Sequence, residues 1–78
     1  MDQDRFEDLL RHFKRREPFE PFVVELLDGR VIRIEEGSVA FNAGAAVYLT
    51  PGPEMDVVTF ECEGVRDIRE ATPQGAPT

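Results

Sequence analysis

Few residues in this chain could do chemistry, and their spacing narrows the choice further. Cys62 is the only cysteine and His12 the only histidine among 78 residues. One chain can therefore form neither an intrachain disulfide nor a Cys/His zinc site. Cys62 lies between Glu61 and Glu63, and flanking carboxylates disfavour the thiolate that a nucleophile needs. Glu61 with Glu63, and the adjacent Glu35 and Glu36, could hold a hard cation or take part in acid–base chemistry. No Asp-x-Asp-x-Asp-Gly loop accompanies either pair. Strand alternation puts Glu61 and Glu63 on one exposed face, with Cys62 turned inward. We read them as solvated carboxylates and assign no catalytic residue, no metal ligand and no cofactor.

The remaining candidates are cationic. Arg11, Lys14, Arg15 and Arg16, with His12 among them, could contact a phosphate or an acidic partner. The same residues also complement the negative end of a helix dipole, which needs no partner at all. Residues 1–16 hold five bases against four acids, so the net charge of −7 leaves −8 on the rest of the chain. An acidic body repels phosphate backbones, which counts against nucleic-acid binding outside this one cluster.

The spacing predicts a helix over residues 4–16 that carries these bases. Phe6, Leu9, Leu10 and Phe13 form its apolar stripe, Asp4 with Glu7 resembles a capping box, and Pro18 stops it. The stretch Glu17–Arg30, EPFEPFVVELLDGR, follows as an elbow into the first strand, where Phe19 and Phe22 can pin helix to sheet. A polyproline-type ligand reading of the same stretch has only one PxxP behind it. Strands are expected at 22–27 and 31–36 around Asp28-Gly29. A two-residue turn would put Ile32 and Ile34 on the face opposite Val24 and Leu26. An Asp28–Arg30 loop or a bulge aligns all four, and a thin core favours that register.

A bend at Gly37-Ser38 lets the second strand continue through Val39, Ala40 and Phe41. A turn at 42–44, a third strand at 45–50, a break at Pro51-Gly52-Pro53, a fourth strand at 56–61 and a fifth at 65–70 complete the pattern. Val58, Phe60 and Ile68 point inward. The tail 72–78 has no large apolar residue and is expected to be disordered. The prediction is one domain over 1–71, mainly β with one N-terminal α-helix: a five-stranded, strongly bent small barrel of Sm-like or SH3-like type at 21–70.

The first strand and its turn, Leu26-Leu27-Asp28-Gly29, resemble the Leu-x-Asn/Asp-Gly ending of the first strand in the Sm-like (Hfq-like) barrels. The PFEPFVVELLDGR string also looks like a set of short bacterial proteins that open PFxPFxVxLxDGR. The Sm-like resemblance implies a homo-oligomeric ring in which the fourth strand of one subunit pairs with the fifth of the next. Val57, Val58, Thr59, Phe60, Val65 and Ile68 would then lie on the meeting edges. It implies a non-enzymatic scaffold or protein-interaction module. The alternative is an RNA-binding ring that uses Arg11, Lys14, Arg15 and Arg16. Where that family carries a base beside a glycine before its last strand, this chain has Glu61-Cys62-Glu63-Gly64, which argues against RNA.

Residues 1–20 are charged throughout, and no apolar run approaches the roughly 20 residues of a membrane span, so neither a signal peptide nor a membrane segment is expected. The lone thiol suits a reducing, cytoplasmic setting. So short a chain buries only about 60% of its unfolded surface. A second copy is the natural supplement to its core.

Overall fold

The computed structural model describes residues 1–36 and 38–71. The expected disordered tail and the Gly37 half of the expected bend lie outside the described residues. Helix α1 (Gln3–Lys14) is followed by β1 (Phe22–Leu26), β2 (Val31–Ile34), β3 (Val39–Asn42), β4 (Ala45–Leu49), β5 (Val57–Glu61), a 3₁₀ turn at Cys62–Gly64 and β6 (Val65–Glu70). The strands form two antiparallel three-stranded sheets, ordered β2-β1-β6 and β3-β4-β5. The chain is thus mainly β with one N-terminal helix. The single long second strand of the sequence reading is two strands, β2 and β3, in different sheets.

Helix α1 is capped two residues earlier than the sequence suggests. The Asp2 carboxylate accepts the Arg5 amide at 3.1 Å and caps the helix, not Asp4. Glu7, the expected partner of Asp4, is used elsewhere, as described below. The helix ends at Lys14, two residues short of expectation, with the Arg15 amide closing onto the Arg11 carbonyl. Phe6, Leu10 and Phe13 are buried along one face, and Leu9 packs against the core from its margin. The elbow then does what its aromatics suggest. Phe13 stacks on Phe22 at 5.1 Å between centroids, and Phe19 meets Phe22 edge-on at 6.2 Å.

The β1–β2 register places Val24 opposite Ile32 and Phe22 opposite Ile34. The core-facing set is therefore aligned, as an odd loop requires. The loop, however, is Leu27-Asp28-Gly29, one residue earlier than Asp28–Arg30. The Leu26 amide donates to the Arg30 carbonyl at 2.8 Å and the Gly29 amide to Leu26 at 3.1 Å. Gly29 takes φ +95, the left-handed residue that closes a three-residue hairpin. Leu27 is left exposed at the tip.

Both sheets and the helix share one core. Phe6, Leu10, Phe22, Val24, Ile34, Val39, Tyr48 and Val65 are sealed from solvent inside it. Phe6 meets Phe60 edge-on at 6.0 Å, so the helix bridges towards the second sheet as well as the first.

Candidate functional site

The cationic residues of α1 do not form one patch. Arg16 is turned back along the protein: its guanidinium contacts Glu70 at 2.5 Å, the Glu20 carbonyl at 3.2 Å and the face of Phe13 at 4.9 Å. Its side chain is only 18% exposed, so it is a clamp between the helix end and β6. Arg11 pairs with Asp8 at 3.0 Å and reaches over the Phe41 ring at 5.6 Å. Lys14 covers the same ring from 5.9 Å. Arg15 is exposed and has no ion-pair partner among the described residues. A shallow cleft of about 500 Å³ lies between Asp8, Arg11, His12, Arg15 and Arg16. Of the four predicted bases, Lys14 and Arg15 are exposed without an ion-pair partner among the described residues, Lys14 lying over the Phe41 ring at the β3 edge and Arg15 clear of it.

The second candidate site was the pair of edges. Among the described residues β5 pairs only with β4 and β6 only with β1, so each has an open side, as do the other edge strands β2 and β3. Their side chains divide by face. Val58 and Phe60 point inward, while Val57 and Thr59 point out. Val65 and Ile68 are buried and belong to the core. What these edges can offer a neighbour is backbone hydrogen bonding, with Val57 and Thr59 beside it.

A surface absent from the sequence-derived candidates adjoins β5. The outer side of the β3-β4-β5 sheet carries cross-strand rows Ala40–Val47–Thr59 and Asn42–Ala45–Glu61, with Leu49 beside Val57. A concave region of about 600 Å³ lies over it, and its polar side chains are Asn42, Thr59 and Glu61. Leu49 and Val57 are 39% and 63% exposed. The signal was present in β4, whose Ala45-Ala46-Val47-Tyr48-Leu49 is apolar without alternation. Such a run marks a strand with apolar surroundings on both faces.

The outer side of the other sheet is finished against water. Glu25 contacts Arg69 at 2.7 Å and Arg66 at 3.6 Å, Arg69 also reaches Asp67 at 3.5 Å, and Arg33 pairs with Glu35. The hydrogen bond that the Arg69 guanidinium donates to the Glu25 carboxylate is the main reason that Arg69 is held more firmly protonated than usual. These are surface pairs, worth little to stability, but they interrupt the apolar surface of this face, where Val31 stays exposed.

The acidic and thiol candidates stay apart. Glu35 contributes its backbone amide to Tyr48, and Glu36 accepts from the Ser38 hydroxyl at 2.8 Å. Cys62 opens the 3₁₀ turn, half-buried, and its carbonyl accepts from the Met1 amine at 3.0 Å. Among the described residues no three His, Cys, Asp or Glu side chains converge as a metal would require. No described helix is long and apolar enough to cross a membrane. Comparison with family models, curated proteins and solved structures finds no match, and the geometry alone carries the functional reading.

Proposed function

We propose that this protein is a non-enzymatic interaction module, a small barrel of the Sm-like kind that works as a cytoplasmic scaffold by associating with copies of itself. In this reading β2 and β3 are the two halves of one bent strand, and β5 and β6 are the fourth and fifth strands of such a barrel. The observation that carries it is the pair of open edges. Among the described residues β5 and β6, like the other edge strands β2 and β3, have a sheet neighbour on one side only, and open edges in so small a chain are satisfied most simply by another copy. The surroundings favour binding over catalysis. The concave region beside β5 is lined mainly by alanine, valine and phenylalanine, with Asn42, Thr59 and Glu61 as its polar side chains. Molar mass in solution, by light scattering on a sizing column, tests this. A ring or dimer is expected; a monomer overturns the proposal.

A second reading rests on Arg15 and the cleft it shares with His12. An acidic partner or an RNA phosphate would find there a cation with no internal partner. Titration with single-stranded RNA in about 50 mM salt is the test, because electrostatic contacts are strongest at low salt. No binding there removes the RNA reading and leaves self-association as the function.

A further inference from the structure

We propose that β5 pairs with β5 of a second copy, antiparallel about a two-fold axis at Thr59, so that two β3-β4-β5 sheets join into one. The proposal rests on the reading that the chain self-associates, and it assigns that contact to a single edge, which gives a dimer and not a ring.

Of the open edges, β2, β3 and β6 carry the features that keep strands apart. β2 has four residues, and Arg33, paired with Glu35, stands among them. β3 also has four, with α1 beside it and Arg11 and Lys14 reaching over Phe41. β6 is charged at Arg66, Asp67, Arg69 and Glu70, and it is bulged: Glu25 faces Asp67 but Leu26 faces Val65, which leaves Arg66 as the extra residue. β5 runs for five residues in unbroken register, and Val57 to Phe60 bear no charge.

The ladder to β4 fixes which groups of β5 face outward. The Cys62 amide donates to the Gly44 carbonyl at 2.8 Å, and the Thr50 amide to the Asp56 carbonyl at 2.9 Å. Hydrogen-bonded residues alternate along an antiparallel pair. Val58 and Phe60 therefore bond to β4, while Val57, Thr59 and Glu61 turn their amides and carbonyls to the open edge. A second β5 centred on Thr59 uses every one of them: Thr59 meets Thr59, and Val57 meets Glu61. On the outer side this sets threonine against threonine, a favourable cross-strand pair, and keeps the two Glu61 carboxylates apart. On the core side Val58 meets Phe60, apolar against apolar.

What lies beside the edge also fits a second copy. A cleft of about 250 Å³ separates Thr59–Glu61 from the hairpin tip, where Leu26, Leu27, Asp28 and Arg30 line it. Arg30 stands opposite Leu26, so it shares the side of the sheet on which Leu26 is buried. The incoming strand lays Val58 over this cleft and brings Asp56, on the same side of the strand, towards Arg30. An acid thus arrives where the edge offers a base.

Because Thr59 meets itself, its charge variants test the pairing directly. Thr59 is exposed, so Thr59→Lys and Thr59→Glu alter the surface alone. Each sets like charges opposite one another and should raise the dimer dissociation constant about threefold or more. Mixed in equal amounts, the two should restore the wild-type value or better. Molar mass by light scattering reads this over about 10–1,000 µM. A wild-type dimer with rescue on mixing supports the proposal. A mass above a dimer, or a dimer without rescue, overturns it and leaves self-association by another route standing. A wild-type monomer throughout overturns both. Should either variant fail to fold, amide hydrogen exchange on the wild type decides. Raising the concentration should slow exchange at Val57, Thr59 and Glu61 at least about tenfold and leave Ile68 and Glu70 of β6 unchanged. Slowing at β6 as well, or none at β5, overturns the two-fold pairing.

Discussion

The hydroxyl oxygen of Tyr48 accepts the backbone amide of Glu35 at 2.9 Å. Tyr48 belongs to β4 and Glu35 follows β2, so this bond ties one sheet to the other just where the chain leaves the first. Tyr48 is 1% exposed, and its ring fills the space between the sheets while its hydroxyl serves their junction. Replacing it with phenylalanine keeps the ring and strands a partly buried amide. Tyr48→Phe should lower stability by about 1–2 kcal/mol, read from urea unfolding. A loss below a few tenths would mean that water replaces the hydroxyl without penalty.

Helix α1 is part of the core and not an appendage. Phe6 is fully buried and touches Phe60 of the second sheet. Truncating a buried phenylalanine costs about 3–5 kcal/mol, against a total of about 4–12 kcal/mol for a chain of this length. Phe6→Ala should therefore remove at least about a quarter of the stability, read as an earlier midpoint in urea unfolding. An unchanged midpoint would show that the sheets stand without the helix.

Gly44 sits at a crowded place. The Glu7 carboxylate accepts its amide at 2.9 Å, and a Cβ there would meet the Cys62 sulfur at 3.1 Å. Its φ of +83 is also costly for any side chain. Gly44→Ala should destabilise by about 1–3 kcal/mol. In a Cys62→Ala background the steric part disappears and the cost should shrink to the backbone part alone. Equal costs in both backgrounds would rule out the contact.

At the hairpin tip, Asp28 is held below the usual carboxylate range. The main cause is the Arg30 amide donating to it at 3.0 Å, helped by the Arg30 guanidinium at 2.9 Å. A carboxyl whose folded pKa is lowered contributes stability above its unfolded value of 3.8, and loses it as pH falls through the lower folded value. Carbon-detected titration should place Asp28 below the usual carboxylate range. Asp28→Asn should flatten that acid limb of the stability curve without changing the neutral plateau by much. An ordinary titration midpoint would show that the loop is open in solution.

The elements of this fold were readable where one face of a segment had to be apolar. Phe6, Leu10 and Phe13 mark the helix, and the need to bury Val24, Ile32 and Ile34 together dictates an odd hairpin loop. The loop's exact position was not readable, because Asp28-Gly29 suits both choices and only the Leu26–Arg30 closure separates them. The capping box failed for a similar reason. Asp2 and Asp4 are both good caps, and Glu7 was claimed by Gly44, a partner 37 residues away that no local pattern encodes. The cationic cluster was visible as composition. Its division into a clamp (Arg16), two ring-bound cations (Arg11, Lys14) and one free charge (Arg15) depends on which neighbours the sheets bring near. The apolar outer face was missed because single residues such as Val57 and Leu49 look ordinary until strand pairing sets them side by side.

The uneven finish of the two sheets has a consequence for ionic strength. Molecules bearing −7 each keep one another at a distance in dilute buffer, and added salt shortens the range of that repulsion to about 10 Å at 0.1 M. Self-association of these molecules should thus tighten as sodium chloride is raised, whereas any hold of Arg15 on a phosphate should loosen. The direction of the response to salt separates the two uses of this small protein before its partners are known.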